Sequence, residues 1–173
     1  FNTIGEHHGE YYKLKKWVDG IMKVPFGVYK DLPVSLSDKK TNIKKYIRNV
    51  KNIMDNATYG HELAKKQILQ VVAQAISNPN ESGNVLAIQG PMGVGKTVLI
   101  QDGISKALGR PFEFISLGGA TDSSFLEGHD YTYEGSQCGK IVDVLVKSKC
   151  MNPIIFFDEL DKVSDTAKGQ EII

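Results

Sequence analysis

Gly90-Pro91-Met92-Gly93-Val94-Gly95-Lys96-Thr97 is a complete G-x-x-x-x-G-K-[ST] phosphate-binding loop. Ahead of it, Val85-Leu86-Ala87-Ile88-Gln89 has the length and apolar composition of a short buried strand. Behind it, Val98, Leu99, Ile100, Ile104, Ala107 and Leu108 fall at the spacing of one helix face. Strand, glycine-rich turn and helix in that order predict an α/β core with a parallel sheet. The glycines let the backbone turn its N–H groups inward around phosphate oxygens, and the following helix adds partial positive charge there. Lys96 would reach the β- and γ-phosphates of a nucleotide, and the Thr97 hydroxyl would ligate Mg²⁺. A chance glycine-rich turn would have no reason to carry these flanks.

A second signal lies downstream, in Asn152-Pro153-Ile154-Ile155-Phe156-Phe157-Asp158-Glu159. Four apolar residues end in two carboxylates. Ligands of open α/β sheets sit at the carboxyl ends of strands, so Asp158 is expected to emerge beside the phosphate-binding loop. Asp158 suits Mg²⁺, through a water, because that ion keeps much of its hydration shell. Glu159 suits polarising a water for in-line attack on the γ-phosphorus. Taken alone, an apolar run meeting acids reads better as a core strand entering a solvated loop. Paired with the loop at residues 90–97, the hydrolytic reading wins.

The composition is that of an intracellular α/β protein. Lysine plus arginine number 21 and aspartate plus glutamate 20, so no global charge draws the chain to nucleic acid or a membrane. Lys13, Lys15 and Lys16, like Lys39, Lys40, Lys44 and Lys45, read as solvated helix faces. Cys138 and Cys150 lack C-x-x-C spacing and read as a reduced pair, which places the protein in the cytoplasm or an organellar matrix. His7, His8, His61 and His129 are scattered and suggest no metal site. No apolar stretch approaches the length of a membrane span, and the start has no signal-peptide layout. The chain begins with Phe1, which suggests an excerpt or a processed piece.

Leu14, Trp17, Val18 and Ile21 predict a helix over residues 10–23, followed by an irregular connector holding Pro25, Gly27 and Pro33. Ser35-Leu36-Ser37-Asp38 resembles a capping box that opens a second helix, with Ile43, Tyr46, Ile47, Val50, Ile53 and Met54 as its apolar face. A third helix carries Leu63, Ile68, Val71, Val72, Ala75 and Ile76 and stops at Asn78-Pro79-Asn80. These stripes read as packing surfaces. Phe112–Leu117 reads as a strand closed by Gly118-Gly119, residues 121–128 as a helical excursion, and residues 139–146 as a helix. Between the last two, residues 128–135 form an aromatic segment bounded by glycines, which composition alone makes a surface loop.

The match to a known family is closer than either nucleotide motif. Tyr59-Gly60, the loop at 90–97, Ala107-Leu108-Gly109-Arg110, Ile115-Ser116-Leu117-Gly118-Gly119, Gly128-His129, Thr132-Tyr133, Gly139-Lys140-Ile141 and Phe157-Asp158-Glu159-Leu160-Asp161-Lys162 occur in this order. Together they resemble the AAA+ module of the Lon family of ATP-dependent proteases over roughly residues 10–173. The Ser-Leu-Gly-Gly and Gly-His…Thr-Tyr runs are the specific part. The resemblance implies a P-loop AAA+ core over residues 56–173, preceded over residues 1–55 by the end of that family's helical N-terminal region. It implies ATP and Mg²⁺ as ligands, with Gly90 through Val98 around the nucleotide and Tyr59 and Gly60 near the adenine. Tyr133 would match the central-pore aromatic that grips unfolded polypeptide, a ring offering low-entropy apolar contact to almost any side chain. The expected partners are further copies of the chain, in a ring of six, and unfolded proteins, in the service of protein quality control.

The chain departs from the family at Met92, where a second proline is usual, at Asp130 and Tyr131, where basic residues are usual, and at Glu134, where an apolar residue follows the tyrosine. The family's sensor residue, arginine finger, helical lid, Ser–Lys protease domain and central sheet strand would all lie beyond Ile173. Two other classes share the nucleotide motifs. An AAA+ motor on nucleic acid would not call for the Tyr133 loop, and an ATP-binding fragment without turnover would lack only the trans-acting arginine.

Overall fold

The computed structural model describes residues 9–79, 83–129 and 138–172. The chain divides into two compact units, one of residues 30–112 and one of residues 1–29 with 113–173.

The first unit is helical and holds the glycine-rich loop. Helix α2 (Lys40–Ala57) is built on the face anticipated from spacing: Tyr46, Val50 and Met54 are buried, with Ile43, Ile47 and Ile53 half-buried beside them. Helix α3 (Glu62–Ser77) contributes Ile68, Val72 and Ile76 to the same cluster, which also takes in Leu99 and Ala107. Each such side chain removed from water is worth about 1.5–3 kcal/mol. The Tyr46 hydroxyl donates to the Ala107 carbonyl at 3.1 Å, and burial pushes its pKa upward.

Four local expectations change in this unit. The Ser35–Asp38 box closes on one side, with the Ser35 N–H donating to Asp38 Oδ2 at 2.7 Å, yet α2 begins at Lys40 with no side-chain cap. The carboxylate is spent on the preceding turn. Leu63 is 82% exposed, because the face of α3 runs through Lys65, Ile68, Val72 and Ile76. Lys65 is 3% exposed and is held there by Asp55 Oδ1 at 3.0 Å and the Thr58 carbonyl at 2.7 Å.

The segment Val85–Gln89, expected as a buried strand, is not one. Val85 is 98% exposed, and Leu86 reaches the core. An extended run becomes a strand only when a neighbour takes its ladder hydrogen bonds, and the sheet of the described residues holds two other strands, paired with each other.

The helix behind the loop is likewise not uniform. It starts as α4 (Lys96–Val98), widens to π-helical hydrogen bonding over Leu99–Ser105, and tightens again as α5 (Lys106–Leu108). Here α2 packs closely: a Cβ added at Gly103 would lie 3.4 Å from the Met54 side chain. Such widened turns are rare and recur at functional sites.

The second unit contains the sheet. Strands β1 (Phe112–Ser116) and β2 (Ile154–Asp158) are parallel neighbours, joined by α6 (Ser124–Glu127) and α7 (Lys140–Ser148). Ile115, Leu117 and Val144 form its core, flanked by Leu126, Ile141 and Ile155. β1 alternates as a half-buried strand should, with Glu113 and Ile115 inward and Phe114 and Ser116 outward. The inward Glu113 carboxylate is met by Lys147 Nζ at 2.8 Å. Helix α1 (Gly9–Met22) belongs to this unit, with Leu14 and Val18 half-buried and Trp17 and Ile21 more open. No helix among the described residues is long and apolar enough to cross a membrane.

Candidate functional site

In the helical unit, the loop of residues 90–97 is shaped by two glycines in the left-handed region, Gly93 at φ 77° and Gly95 at φ 88°. A side chain at either would be strained, which accounts for glycine at these two positions. Lys96 opens α4, and its Nζ donates to the Gly90 and Pro91 carbonyls at 2.7 and 2.8 Å, so the ammonium lies within the loop it follows. Thr97 is half-buried one residue further on, and Met92 and Val98 are exposed.

Tyr59 and Gly60 lie in the connector between α2 and α3. Tyr59 is fully exposed and Gly60 is left-handed at φ 74°. The same connector touches the loop. His61 Nε2 is 2.7 Å from the Val94 carbonyl, and a Cβ at Gly95 would be 3.4 Å from Thr58 Cγ2. His61 was not singled out from the sequence, since the contact joins residues 33 apart.

In the sheet unit, β2 ends at Asp158, whose Oδ1 accepts the Glu159 N–H at 3.0 Å. The Asp158 carbonyl accepts from Leu117 N–H at 2.9 Å, which ties the ends of the two strands together. Glu159 stands at φ 60°, a left-handed conformation that is uncommon for a residue with a side chain. Its carboxylate accepts from Ser116 Oγ at 3.1 Å and is ion-paired with Lys162. Gly118 leaves room for it: a Cβ there would collide with Glu159 Oε2. The Ser116-Leu117-Gly118-Gly119 run, read from the sequence as a strand end and as a family motif, thus seats the carboxylate.

The hydrogen bond from Lys162, then that from Ser116, then the ammonium charge hold the Glu159 carboxyl below its ordinary pKa. A carboxyl lowered in this way stays ionised to more acidic pH. Lys162→Met removes the largest of these effects, so the Glu159 pKa should rise and the acidic limb of any activity that needs the carboxylate should move to higher pH. A pH–rate profile of ATP hydrolysis by the intact protein checks this; an unmoved limb contradicts it. Tyr133, expected to grip polypeptide, lies outside the described residues.

A left-handed glycine turn with a lysine folded into it, in one unit, and a carboxylate pair at a strand end, in the other, are each features of a kind that phosphoryl-transfer proteins use. Sequence comparison gives the class. Residues 86–172 match the family described as "ATPase family associated with various cellular activities (AAA)", and the chain belongs to that family.

Its curated relatives are Lon proteases, as the ordered motifs implied. It is 39% identical over 165 residues to the "Lon protease homolog" of Acanthamoeba polyphaga mimivirus, covering 93% of this chain and 16% of that protein. It is 34% identical over 160 residues to the "Lon protease" of Malacoplasma penetrans, covering 92% and 19%. To the "Lon protease homolog, mitochondrial" of Rattus norvegicus it is 31% identical over 166 residues, covering 96% and 16%. The chain therefore spans between 16% and 19% of the length of these relatives.

Proposed function

We propose that this chain binds Mg·ATP and hydrolyses it to unfold and translocate polypeptide, as the ATPase part of a Lon-type ATP-dependent protease. The observation that carries the reading is the loop itself: left-handed Gly93 and Gly95 with the Lys96 ammonium drawn inside. Its backbone from Gly90 to Val98 would surround the phosphates, Lys96 would neutralise the β- and γ-phosphate charge, and Tyr59 and Gly60 would meet the adenine. Mg²⁺ would be held by the Thr97 hydroxyl and the Asp158 carboxylate, hard oxygen donors suited to it, and would offset charge on the phosphate oxygens. Glu159 would orient the attacking water.

The AAA match and the Lon proteases among the relatives support the reading as an ATPase module of such a protease. The same reading takes residues 1–55 as a helical lead-in and 56–173 as ATPase, with six copies in a ring acting on unfolded proteins. Its compartment would be the cytoplasm or an organellar matrix.

Tyr133 tests the translocation half. Tyr133→Ala in the intact protein should leave basal ATP hydrolysis within about twofold of wild type, because the residue is assigned no part in phosphate or Mg²⁺ chemistry. It should abolish ATP-dependent degradation of casein, since the ring that grips the polypeptide is gone. Normal casein degradation by the variant contradicts the pore assignment.

A further inference from the structure

Glycines at 93 and 95 create a difficulty as well as a loop. A peptide unit beside a left-handed glycine turns over at little cost, and the loop binds phosphate only while its N–H groups face inward. Something must hold the Val94–Gly95 peptide in one orientation. The connector between α2 and α3 is placed to do so, from residues that the nucleotide motif does not include.

The Val94 carbonyl can only accept a hydrogen bond, so His61 Nε2, 2.7 Å away, must carry a proton. Both the Nε2–H tautomer and the imidazolium satisfy this. In a planar trans peptide the C=O and the next N–H point in opposite directions. Anchoring the Val94 oxygen on the imidazole therefore directs the Gly95 N–H the other way.

The connector is itself held. The Lys65 ammonium donates to the Thr58 carbonyl at 2.7 Å and to Asp55 at 3.0 Å, and the Lys65 N–H donates to the His61 carbonyl at 2.9 Å. His61 sits at φ 57°, a left-handed conformation unfavourable for a residue with a side chain, as is found where surrounding structure imposes it. Thr58 Cγ2 meanwhile covers Gly95.

We propose that His61 is a positioning residue of the phosphate-binding loop, whose Nε2–H fixes the Val94–Gly95 peptide so that the Gly95 N–H faces the nucleotide phosphates. This rests on the nucleotide-binding reading above and adds to it a residue outside the motif. The test is titration of the intact protein with a fluorescent ATP analogue, together with steady-state hydrolysis. His61→Leu keeps bulk and removes the donor. It should weaken binding and raise the KM for ATP by about five- to tenfold, the scale of one net hydrogen bond, with kcat within about twofold of wild type.

His61→Gln places an amide nitrogen the same number of bonds from the backbone and should bind within about threefold of wild type. His61→Asn stops one bond short and should resemble the Leu variant. If the Leu variant does not fold, the Gln–Asn contrast carries the test. Wild-type affinity in both the Leu and Asn variants overturns the proposal, as does a Gln variant as weak as Asn. A wild-type protein that binds no Mg·ATP overturns the nucleotide reading itself, which is a separate result.

Discussion

Replacing Lys96 by alanine is expected to weaken Mg·ATP binding by a factor on the order of a hundred, the scale of a charge-assisted hydrogen-bonding cation. The ammonium already lies within the loop, 2.7 Å from the Gly90 carbonyl and 2.8 Å from that of Pro91. Phosphate oxygens, being charged, are stronger partners than these carbonyls, so the lysine can exchange one for the other over a short path. Removing it leaves the β- and γ-phosphate charge to main-chain dipoles and Mg²⁺. Left-handed Gly93 and Gly95 do not depend on the side chain, so the fold should survive with unchanged circular dichroism. Unaltered affinity for a fluorescent ATP analogue contradicts the phosphate-loop assignment.

Glu159→Gln separates binding from turnover. Glutamine keeps the size of the side chain, and its carbonyl oxygen can still accept from Ser116 Oγ, which stands 3.1 Å from the carboxylate. The ion pair to Lys162 and the charge that orients a water are lost. In the intact protein, ATP binding should persist while hydrolysis falls by a factor on the order of a hundred or more, the usual scale for such groups. Phosphate release near the wild-type rate contradicts the role given to Glu159.

Much of this was legible because it is local. Glycine at 93 and 95 reports backbone conformation directly, and the stripe from Ile43 to Met54 reports which face of α2 is buried. The apolar run before Asp158 marked β2 almost to the residue. What escaped is non-local. Val85–Gln89 has strand composition, but a strand is a property of a pair, and no neighbour among the described residues takes its ladder. The π-helical turn at Leu99–Ser105 could not be read, since over seven residues apolar spacing fits either hydrogen-bond register.

Nothing in the local sequence marks Lys65 as buried, because its partners, Asp55 and the Thr58 carbonyl, are set by the packing of α3 on α2. The contacts of His61, Ser116 and Gly118 were illegible for the same reason: each acts on a residue distant in sequence, Val94 in one case and Glu159 in the other two. The capping box misled in the opposite way, because Asp38 and Ser35 do bond but close a turn before the helix.

If nucleotide chemistry here serves protein movement, phosphate release by the intact protein responds to unfolded polypeptide. The rate is measured alone, with unfolded casein, and with double-stranded DNA, each in Mg·ATP. Stimulation by casein and none by DNA is the expected result. Stimulation by DNA with none by casein contradicts the account and makes the protein a nucleic-acid motor.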